Sequence, residues 1–257
     1  AWGVHYRAAD VIGAAFPGLW AEASVYGLHE RDADGVATPN RDYLQPGIRL
    51  FRGPRAGQID LDIEASLRAG TRRASSAATD QVDLDVDASL LVASVGYTFD
   101  APWTPRVAID YYHASGDGDP ADGRYEQFER LFGSRRTDLG NTGIHGPLTS
   151  ANIEAPGARI ELRPNSRSDL RLTYKAAYVA EPRDAWVVAG LRDPSGASGR
   201  FIGHSWDFRG RTQLVPDSLL LEVGASMLVQ GRFAREAPGA PRQGDTLFGY
   251  VSLTQSF

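Results

Sequence analysis

Cysteine is absent from the 257 residues, which excludes a disulfide frame and a thiolate metal site. No apolar run approaches the roughly 18 residues that a spanning helix needs; stretches such as Ser89 to Val95 and Leu219 to Leu221 are soon broken. Helical membrane insertion is thereby excluded. A spanning β-strand needs only about 9 to 11 residues, half of them apolar, so a negative mean hydropathy does not argue against strands that cross a bilayer. Lysine is almost missing, with Lys175 alone beside many arginines. The net charge of −5 and the lack of a recognition motif argue against nucleic acid as a partner. Catalytic groups are also wanting. His5, His29, His113, His145 and His204 are scattered with no nucleophile or carboxylate at a recognisable spacing, Ser115 with His113 is too generic a pair, and an enzyme is not expected.

What the chain has is alternation. From Gln58, one parity carries Ile59, Leu61, Ile63, Ala65 and Leu67, while the other carries Asp60, Asp62, Glu64, Ser66 and Arg68. Such a segment is a strand with one apolar and one polar face. Using alternation for strands and Gly/Pro/Asp clusters for turns, eleven strands are expected. They run over Trp2 to Ala9, Leu19 to Glu30, Asp42 to Arg52, Gln58 to Ala69, Val82 to Phe99, Pro105 to Ser115, Ser150 to Arg163, Asp169 to Ala180, Arg200 to Thr212, Leu219 to Gln230 and Asp245 to Phe257. The connections Gly53 to Gly57, Asp100 to Thr104, Pro164 to Ser168 and Gln213 to Ser218 are short. Arg31 to Arg41, Gly116 to Thr149, Glu181 to Gly199 and Gly231 to Gly244 are long.

Short turns on one side and long loops on the other are the asymmetry of an outer-membrane β-barrel, with the short turns in the periplasm. An all-β, antiparallel transmembrane barrel is the expected fold, as a single domain over residues 1–257. Eleven is odd, whereas single-chain bacterial barrels have an even number of strands and a periplasmic N-terminus, so at least one upstream strand is expected. The opening at Ala1 without a leader is that of a processed chain or of a piece of a longer one.

The faces repeat from strand to strand. Val107, Ile109 and Tyr111 oppose Arg106, Ala108 and Asp110; Leu170, Leu172 and Tyr174 oppose Asp169, Arg171 and Lys175. Ile202, Trp206 and Phe208 oppose Asp207, Arg209 and Arg211, and Leu219, Leu221, Val223 and Met227 oppose Leu220, Glu222, Gly224 and Ser226. An arginine at the bilayer midplane costs about 2 to 4 kcal/mol when it faces lipid, so the shared polar face is expected to line a wet interior. His113 and His204 carry the lipid-facing parity. The fifth strand breaks phase near Ala88 to Leu91, which calls for a bulge or for a first half that projects above the membrane. Trp20, Tyr97, Phe99 and Trp103, with Tyr26, Tyr111 and Tyr178 further up, fall where an aromatic belt or plain packing would place them.

From Tyr97 the sequence resembles the alginate export family of outer-membrane proteins. The residues that carry the resemblance are Gly96-Tyr97-Thr98-Phe99-Asp100-Ala101-Pro102-Trp103-Thr104-Pro105-Arg106, Asp110-Tyr111, and Ala114-Ser115-Gly116-Asp117-Gly118-Asp119-Pro120-Ala121-Asp122-Gly123-Arg124 with Phe128 and Leu131-Phe132. Leu162-Arg163-Pro164, Leu219 to Gly224, Tyr250 to Phe257 and the upstream Asn40-Arg41-Asp42-Tyr43 fit the same pattern. The resemblance implies an eighteen-stranded barrel that carries an anionic polysaccharide outward, of which this chain holds roughly the last eleven strands. Membrane lipid and lipopolysaccharide are then the surroundings, and the terminal Phe257 is the signal for the barrel-assembly machinery, although Gln255 departs from the usual apolar residue.

Within that frame Arg106, Arg159, Arg171, Lys175, Arg209 and Arg211 lie on the lumen parity, where a basic ring would concentrate a polyuronate or small anions and bind carboxylates bidentately. Asp110, Glu161, Asp169, Asp207 and Glu222 point the same way, so cross-strand ion pairs that brace the wall fit equally. A general diffusion porin and a surface-binding barrel remain as alternatives for the whole. No cofactor is expected beyond a possible Ca²⁺ at Asp117, Asp119 and Asp122, where hard oxygen ligands gather on a sharp turn; a solvated or loop-bracing turn is the other reading. Phe128, Leu131 and Phe132 within Tyr125 to Arg136 are expected to make a short helix or a folded plug in the mouth.

Overall fold

The computed structural model describes residues 1–131, 139–140, 146–242 and 244–256. Phe132, His145, Phe257 and part of the expected plug lie outside the described residues. The strands are β1 (Trp2–Ala8), β2 (Trp20–His29), β3 (Asp42–Arg52), β4 (Gln58–Arg73), β5 (Asp83–Thr98), β6 (Arg106–Ala114), β7 (Arg124–Tyr125), β8 (Ile153–Glu154), β9 (Gly157–Asn165), β10 (Ser168–Tyr178), β11 (Ala185–Trp186), β12 (Leu191–Arg192), β13 (Phe201–Val215), β14 (Leu219–Gln230) and β15 (Thr246–Gln255). A 3₁₀ turn, Gly13–Ala15, and a short helix, α1 (Arg232–Glu236), complete the elements.

Each long strand pairs antiparallel with the next, from β1 through β6 to β9, β10, β13, β14 and β15. The short β8 continues β9 beyond Ala155 and Pro156, because proline supplies no N–H to the ladder. The expected strand over residues 150–163 is thus split. β7 pairs parallel with β5, and β11 with β12 form a separate hairpin.

The sheet is all-β, 13 strands among the described residues, and it is not closed: β1 and β15 each pair with a single neighbour. The all-β antiparallel architecture is the expected one, and a chain expected to hold about eleven of eighteen strands is here an open sheet, in which each outer edge keeps a row of N–H and C=O groups without a ladder partner. The turn asymmetry also has an exception. Residues 9–19, joining β1 to β2 at the short-turn end, form a longer connection with the 3₁₀ turn inside it.

Side-chain parity holds across the wall. The outer face exposes Ile109 (73%), Leu67 (62%) and Val251 (75%), while Asp60, Arg106 and Asp207 on the inner face are nearly inaccessible. Of the two readings of the phase break in the fifth strand the bulge is excluded, and one expectation about parity is corrected. β4 and β5 pair without a register shift from Gln58↔Thr98 to Arg73↔Asp83, so β5 contains no bulge; Leu84, Val86, Ala88 and Leu90 keep the inner parity and Asp83, Asp85 and Asp87 the outer. Ile202 is not on the outer face. At Gly203 the register against β10 slips by one residue, turning Ile202 fully inward and leaving Phe201 outside against Tyr178, ring centroids 5.1 Å apart. Gly203 has φ +153°, and a Cβ there would lie 2.2 Å from the Val229 carbonyl oxygen, so the bulge depends on glycine.

The apolar core sits on the inner face at the long-loop end. Tyr112, Ile153, Val179, Ile202, Trp186 and Phe233 are its larger members, contributed both by the wall and by loops folded onto it. Tyr112 shares a 2.6 Å hydrogen bond with the Ser150 hydroxyl, and Trp186 Nε1 donates to the Pro147 carbonyl at 2.7 Å. The lower inner face stays polar.

Candidate functional site

The polar inner face is a ladder of ion pairs. Arg7 Nε donates to Glu22 at 2.6 Å and Arg49 grips Asp62 bidentately at 2.7 and 2.9 Å. Arg106, on β6, reaches across β5 to Asp60 on β4 with Nε (2.9 Å) and Nη2, while its Nη1 donates to Glu161 on β9 at 2.8 Å. Gly96 makes this reach possible, since a Cβ there would lie 2.5 Å from Arg106 Nη2. Arg159 Nη2 donates to Asp110 at 3.2 Å and to Ser94 at 3.0 Å. Arg209 and Arg211 share Asp169 at 3.2 and 3.0 Å. Asp207 accepts from the Ser226 hydroxyl, and Glu222 accepts from Tyr250 at 2.7 Å.

The sequence-derived residues are thus brought together, though on unequal terms. Arg106 is enclosed by two carboxylates. Arg159, Arg171 and Lys175 border a cavity of about 430 Å³ with Asp110 and Glu161, and Arg171, Arg209 and Arg211 border a second of about 520 Å³ at the short-turn end with Asp169. Arg171 stands opposite Arg209 on one neighbouring strand and Glu161 on the other. Arg159 Nε and Arg209 Nε are buried and make no hydrogen bond. Both guanidinium groups are nonetheless ion-paired through other nitrogens, Arg159 with Asp110 and Arg209 with Asp169, so the two cavities are bordered by charges of both signs.

Asp117, Asp119 and Asp122 do not converge. Among the described residues no three carboxylate or imidazole groups are placed to hold a metal ion. Asp119 and Asp122 are exposed and accept backbone N–H bonds from Ala121 (3.2 Å) and Arg124 (2.9 Å), the self-capping expected of aspartate in turns. Asp117 is buried instead beside Asp184, which accepts its backbone N–H at 2.9 Å. Burial and the Asp184 charge push the Asp117 carboxyl up to about 6.

One polar residue of the inner face was missed in the sequence. Arg68 ends the expected polar parity, and Arg72 continues it beyond Ala69, where the alternation in hydropathy stops; both are buried, against the segment that begins with β7. Arg68 stacks between Tyr43 and Phe128, 5.2 and 4.5 Å from the ring centroids, and Arg72 lies 4.0 Å over Tyr125. Glu129 of the same loop accepts from Tyr43 Oη at 3.0 Å. Phe128 is buried, so this loop does fold onto the wall, with no helix among its described residues.

The alginate export family model matches residues 2–247, nearly the whole chain. The chain belongs to the alginate export family. Comparison with curated proteins finds no match. The alginate export family is one of outer-membrane transport proteins, so membership suggests an export-pore role and implies transport rather than catalysis.

Proposed function

We propose that this chain forms the larger part of the wall of an outer-membrane β-barrel that conducts an anionic polysaccharide of the polyuronate class, and smaller anions with it. Further strands pair with the open edges of β1 and β15 to close the barrel, since an unpaired edge in hydrocarbon leaves backbone groups unsatisfied at several kcal/mol each. The outer face, with Ile48, Leu67, Ile109 and Val251 exposed, meets lipid and, in the outer leaflet, lipopolysaccharide; the long loops face outward.

The observation that carries the anionic cargo is the grouping of Arg159, Arg171, Lys175, Arg209 and Arg211 around two adjoining cavities on β9, β10 and β13. A carboxylate chain entering from the short-turn end meets guanidinium donors first at Arg211, then at the level of Arg209 and Arg171, then at Arg159. Reversal potentials of the full-length protein in planar bilayers test this. Anion preference and block by uronate oligomers are expected, both reduced by Arg171→Gln and Arg211→Gln. Conductance without either behaviour, or selectivity unmoved by the two substitutions, overturns the reading in favour of a general porin.

A further inference from the structure

Arg52 breaks the rule of the outer face. It stands opposite Leu61 and so shares the apolar parity of Ile48, Leu50 and Ile59, yet it is only 9% exposed. The long connection at the short-turn end covers it. Phe16 lies on its guanidinium, with Cζ 4.1 Å from the ring centroid, and Nε donates to the Pro17 carbonyl at 2.9 Å. Nη1 donates to the Ile59 carbonyl and Nη2 to the Gln58 side-chain oxygen, both at 2.6 Å. Leu19, which continues the outer parity of Ala21 on β2, is buried as well. Residues 9–19 are therefore folded up against the outside of the wall rather than hanging below it. Their backbone is also well provided for, since the N–H groups of Val11, Gly13, Ala15, Phe16 and Gly18 all find acceptors within the connection, as a segment entering lipid requires.

What this connection presents outward is apolar, and what it holds beneath is positive. Val11 and Ile12 are exposed, in line with the exposed Leu50, Ile48 and Ile59 of the wall. The three acceptors of Arg52 are neutral groups, so they leave its charge uncancelled. Arg55, exposed in the next short turn, brings its Nη2 beside Gly18, 3.9 Å from where a Cβ would stand. We propose that residues 9–19 form an interfacial foot that binds anionic phospholipid of the periplasmic leaflet, with Val11 and Ile12 at the acyl boundary and Arg55 and Arg52 drawing the phosphate. Arg52 is the positioning residue, because it ties the foot to the wall through Phe16 and Pro17. The foot rests on the membrane reading of the outer face and uses none of the arginines that carry the cargo reading.

The 257 residues contain no cysteine, so a probe on an introduced one is unique among them. Nitroxide labels on the full-length protein in liposomes compare Ile12→Cys with Ile109→Cys on the outer face and Ala101→Cys in a short turn, by relaxation with oxygen, which enters lipid, and with a nickel chelate, which stays in water. Ile12 is expected to share the lipid signature of Ile109, with Ala101 in water, and Arg52→Leu should raise the mobility of the Ile12 label. With a bimane at the same cysteine, quenching should show brominated phosphatidylglycerol preferred over brominated phosphatidylcholine about fivefold, roughly the worth of one arginine near an anionic surface, and Arg55→Gln should remove that preference. Ile12 in water with Ile109 in lipid overturns the foot and leaves the membrane reading standing. Equal quenching by the two lipids, or a preference unmoved by Arg55→Gln, overturns the headgroup site. Ile12 and Ile109 both in water remove the foot and the membrane reading together.

Discussion

The pair between Arg106 and Asp60 sets a bracing arginine apart from those proposed to meet the cargo. Asp60 is 2% exposed and Arg106 7%, and the cation is satisfied on two sides, by Asp60 and by Glu161 at 2.8 Å. Removing one partner of a buried pair costs about 3 to 5 kcal/mol. Asp60→Leu leaves Arg106 with Glu161, so the low end, about 3 kcal/mol, is expected. Arg106→Leu strands two carboxylates, one of them wholly buried, and should cost about 5 kcal/mol. Asp60→Leu with Arg106→Leu takes both charges out together and should cost less than Arg106→Leu alone, a coupling of several kcal/mol. Urea titration of the full-length protein in lipid vesicles, followed by tryptophan fluorescence, reads this out. With a slope of about 1 to 3 kcal/mol per molar urea, the midpoint falls by at least about 1 M in each single variant. Reversal potentials should stay put in the double variant, because the pair is neutral as a unit. Single-variant costs that add within about 0.5 kcal/mol, or a shift in selectivity in the double variant, would refute the assignment.

The loops offer three further tests. Asn152, fully buried, donates to the Glu181 and Ala185 carbonyls at 3.1 Å and accepts from Glu181 N at 2.7 Å; Asn152→Ala should destabilise the loop over residues 181–190 by about 3 kcal/mol, seen as protease cleavage there with the strands still heat-resistant. Phe233→Ala, which opens a cavity where the side chain is fully enclosed, should cost about 3 to 5 kcal/mol by denaturant titration and increase current noise. Asp117 titrates near 6 when folded, above its ordinary 3.8, so the folded loops hold the proton more tightly than the unfolded chain does. Loop stability is then greatest below about pH 4, falls as pH rises to about 6, and is flat above that. Hydrogen exchange at residues 115–127, corrected for intrinsic rates, should be slower at pH 4.5 than at 7.5, and Asp117→Asn should erase the difference; equal protection at both values counts against it.

Strand positions were legible because one residue in two must face apolar surroundings, a rule strong enough to fix β3 and β14 to the residue. The inner charges were legible for the same reason. Their partners were not: whether Arg106 meets Asp60 depends on Gly96 letting a side chain cross a whole strand, a contact at a separation of 46 residues. Ile202 was misplaced because a bulge shifts parity without marking hydropathy; its signal was Gly203 in mid-strand. The three aspartates looked like ligands because turn-capping and metal-binding aspartates share spacing with glycine, and only the backbone N–H positions separate them.

The apparent phase break in β5 marks the edge of the apolar slab. On the outer face of the β4–β5 hairpin, Ile59, Leu61, Ile63, Ala65 and Leu67 give way to Ala69, opposite Asp87, then to Thr71 opposite Asp85 and Arg73 opposite Asp83. Ile59 to Leu67 spans about 27 Å along a strand at about 3.4 Å per residue, or about 21 Å of height at a tilt of about 40°, close to the roughly 25 Å apolar band of outer-membrane barrels. Under the proposed membrane reading, water lies outside the wall beyond that height, where aspartates are at home. On the inside, Val86, Ala88 and Leu90 are covered by the loops. The exchange of polar and apolar faces thus needs no change of register. The same strand, with the same parity, passes from a wall that is apolar outside and polar inside to one that is polar outside and packed inside, so on the proposed barrel reading the core begins at the height where the apolar band ends.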